Sequence, residues 1–130
     1  MDDLSLRSDG ELAAMRESLV SQLDGVADFT PGAFQEEWGR CGKLNCHCHA
    51  PGDPGHGPRY SVMRYEGGRP VKRAVPARLA GAFRERVDRW GVFKSLVDAI
   101  SSVNSEVSRR LLLAGKADMA RPGVSGQKGG

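Results

Sequence analysis

Three cysteines and one histidine within sixteen residues constrain this chain more than any other feature. Cys41, Cys46 and Cys48 are its only cysteines, and all of its histidines (His47, His49 and His56) lie within or just after the same window. The stretch Arg40-Cys41-Gly42-Lys43-Leu44-Asn45-Cys46-His47-Cys48-His49 is polar, and the loop that continues it to Gly55-His56-Gly57-Pro58 is rich in glycine and proline. Such a segment cannot form a hydrophobic core, so something else must order it. Three thiolates and one imidazole make the ligand set of a closed tetrahedral zinc site. The expected site is a zinc knuckle holding Zn2+ through Cys41, Cys46, Cys48 and His56.

The spacing, Cys-x4-Cys-x-Cys-x7-His, differs from the two Cys-x2-Cys pairs of a common finger. Gly42 is expected to turn the chain after the first ligand by taking a positive φ, and Asn45 tolerates the same region. The turn-rich loop Pro51-Gly52-Asp53-Pro54-Gly55 is long enough to return His56 to the metal. His47 and His49 compete for the fourth position, although each would need a strained chelate ring. An iron–sulfur centre or three free thiols are the other readings of the cysteines.

An odd number of cysteines argues against a disulfide framework. Met1-Asp2-Asp3-Leu4 lacks the basic start of a signal peptide, and no stretch approaches the ~20 apolar residues of a membrane span. The expectation is a cytoplasmic protein without membrane contact. At 130 residues and 6% aromatic content the chain has room for one domain with a modest core. A structural zinc, worth about 10–16 kcal/mol in small peptides, would then contribute to folding itself.

The segments around the knuckle predict an α+β fold. Residues 1–29 contain an amphipathic helix over 8–24, with Ser8 and Glu11 as a capping box, Leu12, Met15, Leu19 and Leu23 on one face, and Gly25 as the stop. Residues 30–75 hold the knuckle and a β-hairpin, preceded by Phe34–Trp38, which reads equally as strand or helical turn. The hairpin turns at Gly67-Gly68 and pairs Glu66 with Arg69, Arg64 with Val71, Val62 with Arg73 and Tyr60 with Val75. Residues 76–113 read as one long helix opened by Pro76, with Gly91 as a point of kinking or division. Its stripe runs Leu79, Phe83, Arg86, Trp90, Phe93, Val97, Ile100, Asn104, Val107 and Leu111, a heptad seam in which Asn104 would set the register. Phe93, Val97, Ile100, Asn104 and Val107 are the expected oligomer seam, with packing on the N-terminal helix as the alternative. Residues 114–130, rich in Gly, Lys and Ser, are expected to be disordered.

Charge is unevenly spread. Residues 1–38 hold two basic and nine acidic side chains, whereas residues 59–110 hold twelve basic and five acidic. Arg59, Arg64, Arg69, Lys72, Arg73 and Arg78 crowd the hairpin and its exit, and the planar guanidinium suits phosphate oxygens. A basic patch beside a zinc knuckle predicts nucleic acid as partner, DNA ahead of RNA, held mainly through its backbone. The competing reading is a zinc-stapled protein-interaction or assembly module that uses the long helix. No catalytic motif is present and a fourth ligand closes the zinc, so an enzyme is not expected.

The string Cys41-Gly42-Lys43, Asn45-Cys46, Cys48, followed by His56-Gly57-Pro58 and Tyr60, resembles a family of short, functionally uncharacterised bacterial and archaeal proteins. Some members of that family are associated with mobile elements. The resemblance spans about residues 34–112 and implies a zinc-binding domain that accompanies transposition or recombination.

Overall fold

Ser8 and Glu11 close the capping box anticipated for the first helix. The Ser8 amide donates to Glu11 Oε1 at 3.0 Å, and the Glu11 amide donates to Ser8 Oγ at 3.1 Å. The computed structural model describes residues 3–120. In chain order these form helix α1 (Asp9–Val26), strands β1 (Ala33–Gly39), β2 (His56–Glu66) and β3 (Arg69–Val75), and helix α2 (Ala80–Ala120). The architecture is α+β, as the pattern of segments predicts.

Several boundaries differ from those expected. α1 runs through Gly25, whose φ is ordinary, because a single glycine lowers helix propensity by only about 1 kcal/mol. Pro76 caps a short 3-10 turn, Ala77–Leu79, and α2 proper begins at Ala80. Gly91 does not divide α2, and the helix continues past Leu113 to Ala120. Ala114, Lys116, Ala117 and Met119 favour helix, with Gly115 and Asp118 against them. The remainder of the expected tail lies outside the described residues.

The chain falls into two compact units: Val26–Phe93, and the residues up to Gly25 together with those from Lys94 onward. The first contains a three-stranded antiparallel sheet in the order β1-β2-β3. Gly67 and Gly68 both have positive φ (59° and 79°), as a two-residue type I′ turn requires. The pairs Glu66–Arg69, Arg64–Val71, Val62–Arg73 and Tyr60–Val75 follow from it. Phe34–Trp38, ambiguous in sequence, lies within β1. It pairs with β2 from Ala33–Met63 to Gly39–His56, with an irregularity between Glu37 and Gly39. Val62 and Val75 are buried and line a cleft with Pro31, Leu79 and Phe83.

Arg86, a polar break in the expected seam, fastens the approach to β1. Its guanidinium donates to Thr30 Oγ1 at 2.8 Å, Asp28 Oδ1 at 2.7 Å and the Phe29 carbonyl at 3.1 Å. Its own carbonyl accepts from the Thr30 amide at 3.2 Å. Phe29 then packs on Trp90 and Phe93, ring centroids 4.8 and 4.9 Å away.

The second unit pairs α1 with the later part of α2. Among the described residues its buried side chains are Leu12, Leu96 and Val103. Leu96 and Val103 each precede an expected seam residue, Val97 and Asn104, by one position. Asn104 is exposed and accepts from Arg16 Nη1 at 3.2 Å, so its polar partner lies within the chain. Arg110 joins the ends of the pair, donating to Asp9 Oδ1 (2.7 Å), the Arg7 carbonyl (2.6 Å) and the Leu4 carbonyl (3.2 Å).

Candidate metal centre and basic hairpin

The knuckle leaves β1 at Gly39, folds around a 3-10 turn at His47–His49, and returns as β2 at His56. The Cys46 amide donates to the Lys43 carbonyl at 3.0 Å, and the His49 amide to the Cys46 carbonyl at 3.1 Å. These local turns bring together the four expected ligands: the donor atoms of Cys41, Cys46, Cys48 and His56 all lie within 4.8 Å of one another. Cys41 Sγ and Cys48 Sγ are 3.6 Å apart, and Cys46 Sγ is 3.2 Å from His56 Nε2. A tetrahedral ion with metal–sulfur bonds of about 2.3 Å places neighbouring thiolates ~3.8 Å apart. The donor set and its spacing therefore fit a metal ion of zinc's size.

The backbone prepares the thiols for such a role. Hydrogen bonding from the backbone at Lys43 lowers the Cys41 thiol below its ordinary pKa, and the backbone at Cys48 does the same for Cys46. Cys48 is fully buried, and desolvation pushes its thiol the other way. The Cys41 amide lies 3.3 Å from Cys48 Sγ and turns a donor toward that buried sulfur.

Both competing histidines are engaged elsewhere. His47 Nδ1 lies 3.1 Å from Asp53 Oδ2, and His49 Nε2 lies 2.7 Å from the Cys41 carbonyl oxygen. Asp53 also accepts from the Gly55 amide at 2.8 Å, fixing the turn before His56. Sequence reasoning passed over Asp53 except as part of a turn-rich loop.

Two glycines matter more here than the sequence suggests, and Gly42 and Asn45 matter less. Among the described residues none other than glycine has a positive φ, and Gly42 does not take one. A Cβ at Gly42 would meet nothing within 4 Å. The strain lies at Gly55 (φ 92°) and Gly57 (φ 153°), which flank His56. A Cβ on Gly55 would sit 2.6 Å from the Gly39 carbonyl oxygen, and one on Gly57 would sit 2.8 Å from the Glu37 carbonyl oxygen. Only glycine lets β2 begin this close to β1 and hold His56 opposite Gly39. The sequence signal for this was the Gly-His-Gly triplet.

The basic residues divide by sheet face. The strand alternation puts Arg64, Arg69 and Arg73 on the face of Val62 and Val75, and Arg59 and Lys72 on the opposite face. Lys72 is ion-paired with Glu37, and Arg73 Nη1 with Glu66 Oε2 at 2.8 Å. Arg84 lies over the Phe34 ring, 4.9 Å from its centroid, and is 3.5 Å from Glu36. Arg59, Arg64, Arg69 and Arg78 are exposed and have no ion pair among the described residues.

Of the expected seam residues, Phe93 joins the aromatic cluster, Ile100 and Val107 are half-buried, and Val97 and Asn104 are exposed. No helix among the described residues is long and apolar enough to cross a membrane.

The pattern of one protein family, described as a domain of unknown function (DUF6788), matches residues 10–85, more than half of the chain. The chain belongs to this family. The DUF6788 match takes in nearly all of α1, the three strands, the whole metal centre and the opening of α2. It begins and ends earlier than the resemblance anticipated at residues 34–112, and so includes the first helix. No curated protein and no solved structure matches the chain.

Proposed function

We propose that this protein is a zinc-stapled nucleic-acid-binding domain that contacts DNA, in preference to RNA, through the tip of the β2–β3 hairpin. One observation carries the reading. β1 pairs with β2 only as far as Met63, so residues 64–71 extend beyond it as a two-stranded ribbon. Arg64 and Arg69 stand on one face of that ribbon, exposed and without an ion pair among the described residues, and the exposed Tyr65 stands on the other. The major groove of B-DNA admits a two-stranded ribbon, and guanidinium groups suit both phosphates and guanine edges. Arg59 and Arg78 add phosphate contacts nearer the metal.

Zn2+ has a structural part in this account. Four protein ligands leave no open coordination position, so the metal holds His56 and the start of β2 in place and supplies no catalysis. The resemblance to bacterial and archaeal proteins linked to mobile elements supports an accessory part in transposition or recombination, in the cytoplasm.

The test is binding of duplex DNA, single-stranded DNA and RNA across a salt series, using zinc-loaded protein. Each phosphate neutralised on duplex DNA contributes about 0.9 to the slope of log K against log salt. Arg59→Ala/Arg64→Ala/Arg69→Ala should lower that slope by about 2–3 with the fold and metal retained. An unchanged slope would reject the hairpin as the contact surface.

A further inference from the structure

The three thiols of the metal centre are not equivalent. Cys46 Sγ faces the histidine, 3.2 Å from His56 Nε2, whereas Cys41 Sγ and Cys48 Sγ face each other at 3.6 Å. Cys41 is half-buried, with the exposed Arg40 before it and the exposed Lys43 two residues after. Thiolates that are partly exposed and flanked by cations are the ones oxidised first. Cys48 has no exposed surface, so an oxidant reaches it only through its neighbour.

The chain also ranks the pairings open to the three sulfurs. A Cys46–Cys48 disulfide would close a ring over the single residue His47, too short a span for relaxed disulfide geometry. Between Cys41 and Cys48 the chain already folds as turns, with the Cys46 amide on the Lys43 carbonyl and the Ala50 amide on the His47 carbonyl. The Cys41 amide lies 3.3 Å from Cys48 Sγ, holding the two ends of that loop together.

We propose that the metal centre is also a peroxide-sensitive switch, in which Cys41 and Cys48 join as a disulfide and Zn2+ is released. The proposal rests on the zinc reading of the four residues. The Cys41 thiolate attacks one oxygen of hydrogen peroxide and breaks the O–O bond. Its sulfur becomes a sulfenic acid, and the departing hydroxide takes up a proton as water. The Cys48 thiolate then attacks that sulfur and displaces hydroxide, which leaves as a second water after protonation. The two sulfurs supply both electrons that reduce the peroxide, and the metal keeps its charge. Cys46 and His56 remain as two ligands where a closed site has four. A disulfide across so short a loop stabilises far less than a structural zinc. The knuckle therefore loosens, while the Gly67-Gly68 turn keeps β2 and β3 in register.

The test uses the full, zinc-loaded chain, with zinc counted before any oxidant is added. Excess hydrogen peroxide should release one zinc per chain, read with a chromophoric chelator. After alkylation and digestion, mass spectrometry should find Cys41 joined to Cys48 and Cys46 alkylated. Dithiothreitol with added zinc should restore the metal content. A folded protein isolated without zinc would overturn this proposal together with the zinc reading. Zinc retained in full after peroxide treatment would overturn this proposal alone. So would a disulfide that includes Cys46, one between chains, or loss of the thiols without a disulfide.

Discussion

Adding one methyl group at Gly55 should weaken the metal centre far more than the same change at Gly42. At Gly55 the φ of 92° must be kept by a residue with a side chain, and the new Cβ would lie 2.6 Å from the oxygen and 2.9 Å from the carbon of the Gly39 carbonyl. The backbone conformation costs about 1–2 kcal/mol. The contact is with backbone, so no rotamer change relieves it, and moving β2 away from β1 costs about 1–3 kcal/mol more. Because His56 is the next residue, that movement withdraws a ligand. The two contributions together predict metal affinity lower by about 30-fold to 1,000-fold or more, at 1.4 kcal/mol per factor of ten. Gly52 provides an intermediate case: its φ is 82°, but a Cβ there meets nothing within 4 Å, so only the conformational cost of about 1–2 kcal/mol applies. Gly42→Ala faces neither cost and should be neutral or slightly stabilising, by up to about 1 kcal/mol. Competition with a chromophoric chelator would rank Gly42→Ala, Gly52→Ala and Gly55→Ala. Equal affinities for the three variants would refute the claim that the close approach of Gly55 to Gly39 seats the histidine.

Other consequences follow from particular contacts. Hydrogen bonds from Arg109 and Arg110 lower the Glu106 carboxyl from 4.5 to about 2. A depressed folded pKa gives stability that is complete above the unfolded value and is lost as pH falls from about 4.5 toward 2. Glu106→Gln should remove that part of the acid sensitivity, read as the difference in urea midpoint between variant and parent at each pH, since both lose metal in acid. Arg86→Ala removes three donors from Asp28, Thr30 and Phe29, and should lower stability by about 2–4 kcal/mol in chemical denaturation. His47→Ala and His49→Ala should each leave metal stoichiometry unchanged while His56→Ala lowers it, since the first two rings bind Asp53 and the Cys41 carbonyl.

The parts of this fold legible in sequence were those set by local rules. Ser8 and Glu11 are three residues apart, the spacing of a reciprocal cap, and Gly67-Gly68 admits one tight turn and hence one register. The cluster of candidate ligands was legible because chemistry selects it: three thiols and an imidazole in a loop of turn-forming and polar residues leave few other uses. What could not be read depends on partners distant in sequence. Gly55 and Gly57 are constrained by the backbone of β1, which lies in contact only once the sheet has formed. Gly42 has glycine's freedom and does not use it. The division of Lys72 and Arg73 between faces follows from strand alternation, whereas their capture by Glu37 and Glu66 needed the folded sheet. The stripe of α2 was partly legible: Phe93, Ile100 and Val107 are half-buried as expected, whereas Leu96 and Val103 are buried in place of their neighbours Val97 and Asn104, a choice set by the packing of α1.

The central claim is that Cys41, Cys46, Cys48 and His56 hold one zinc ion that orders the knuckle. X-ray absorption at the zinc edge of the purified protein, combined with elemental analysis, tests it most directly. The account predicts one zinc per chain, with a shell of three sulfurs at about 2.3 Å and one nitrogen at about 2.0–2.1 Å. A fully folded protein with far less than one metal per chain, or a shell containing two sulfurs or more than one nitrogen, would contradict it.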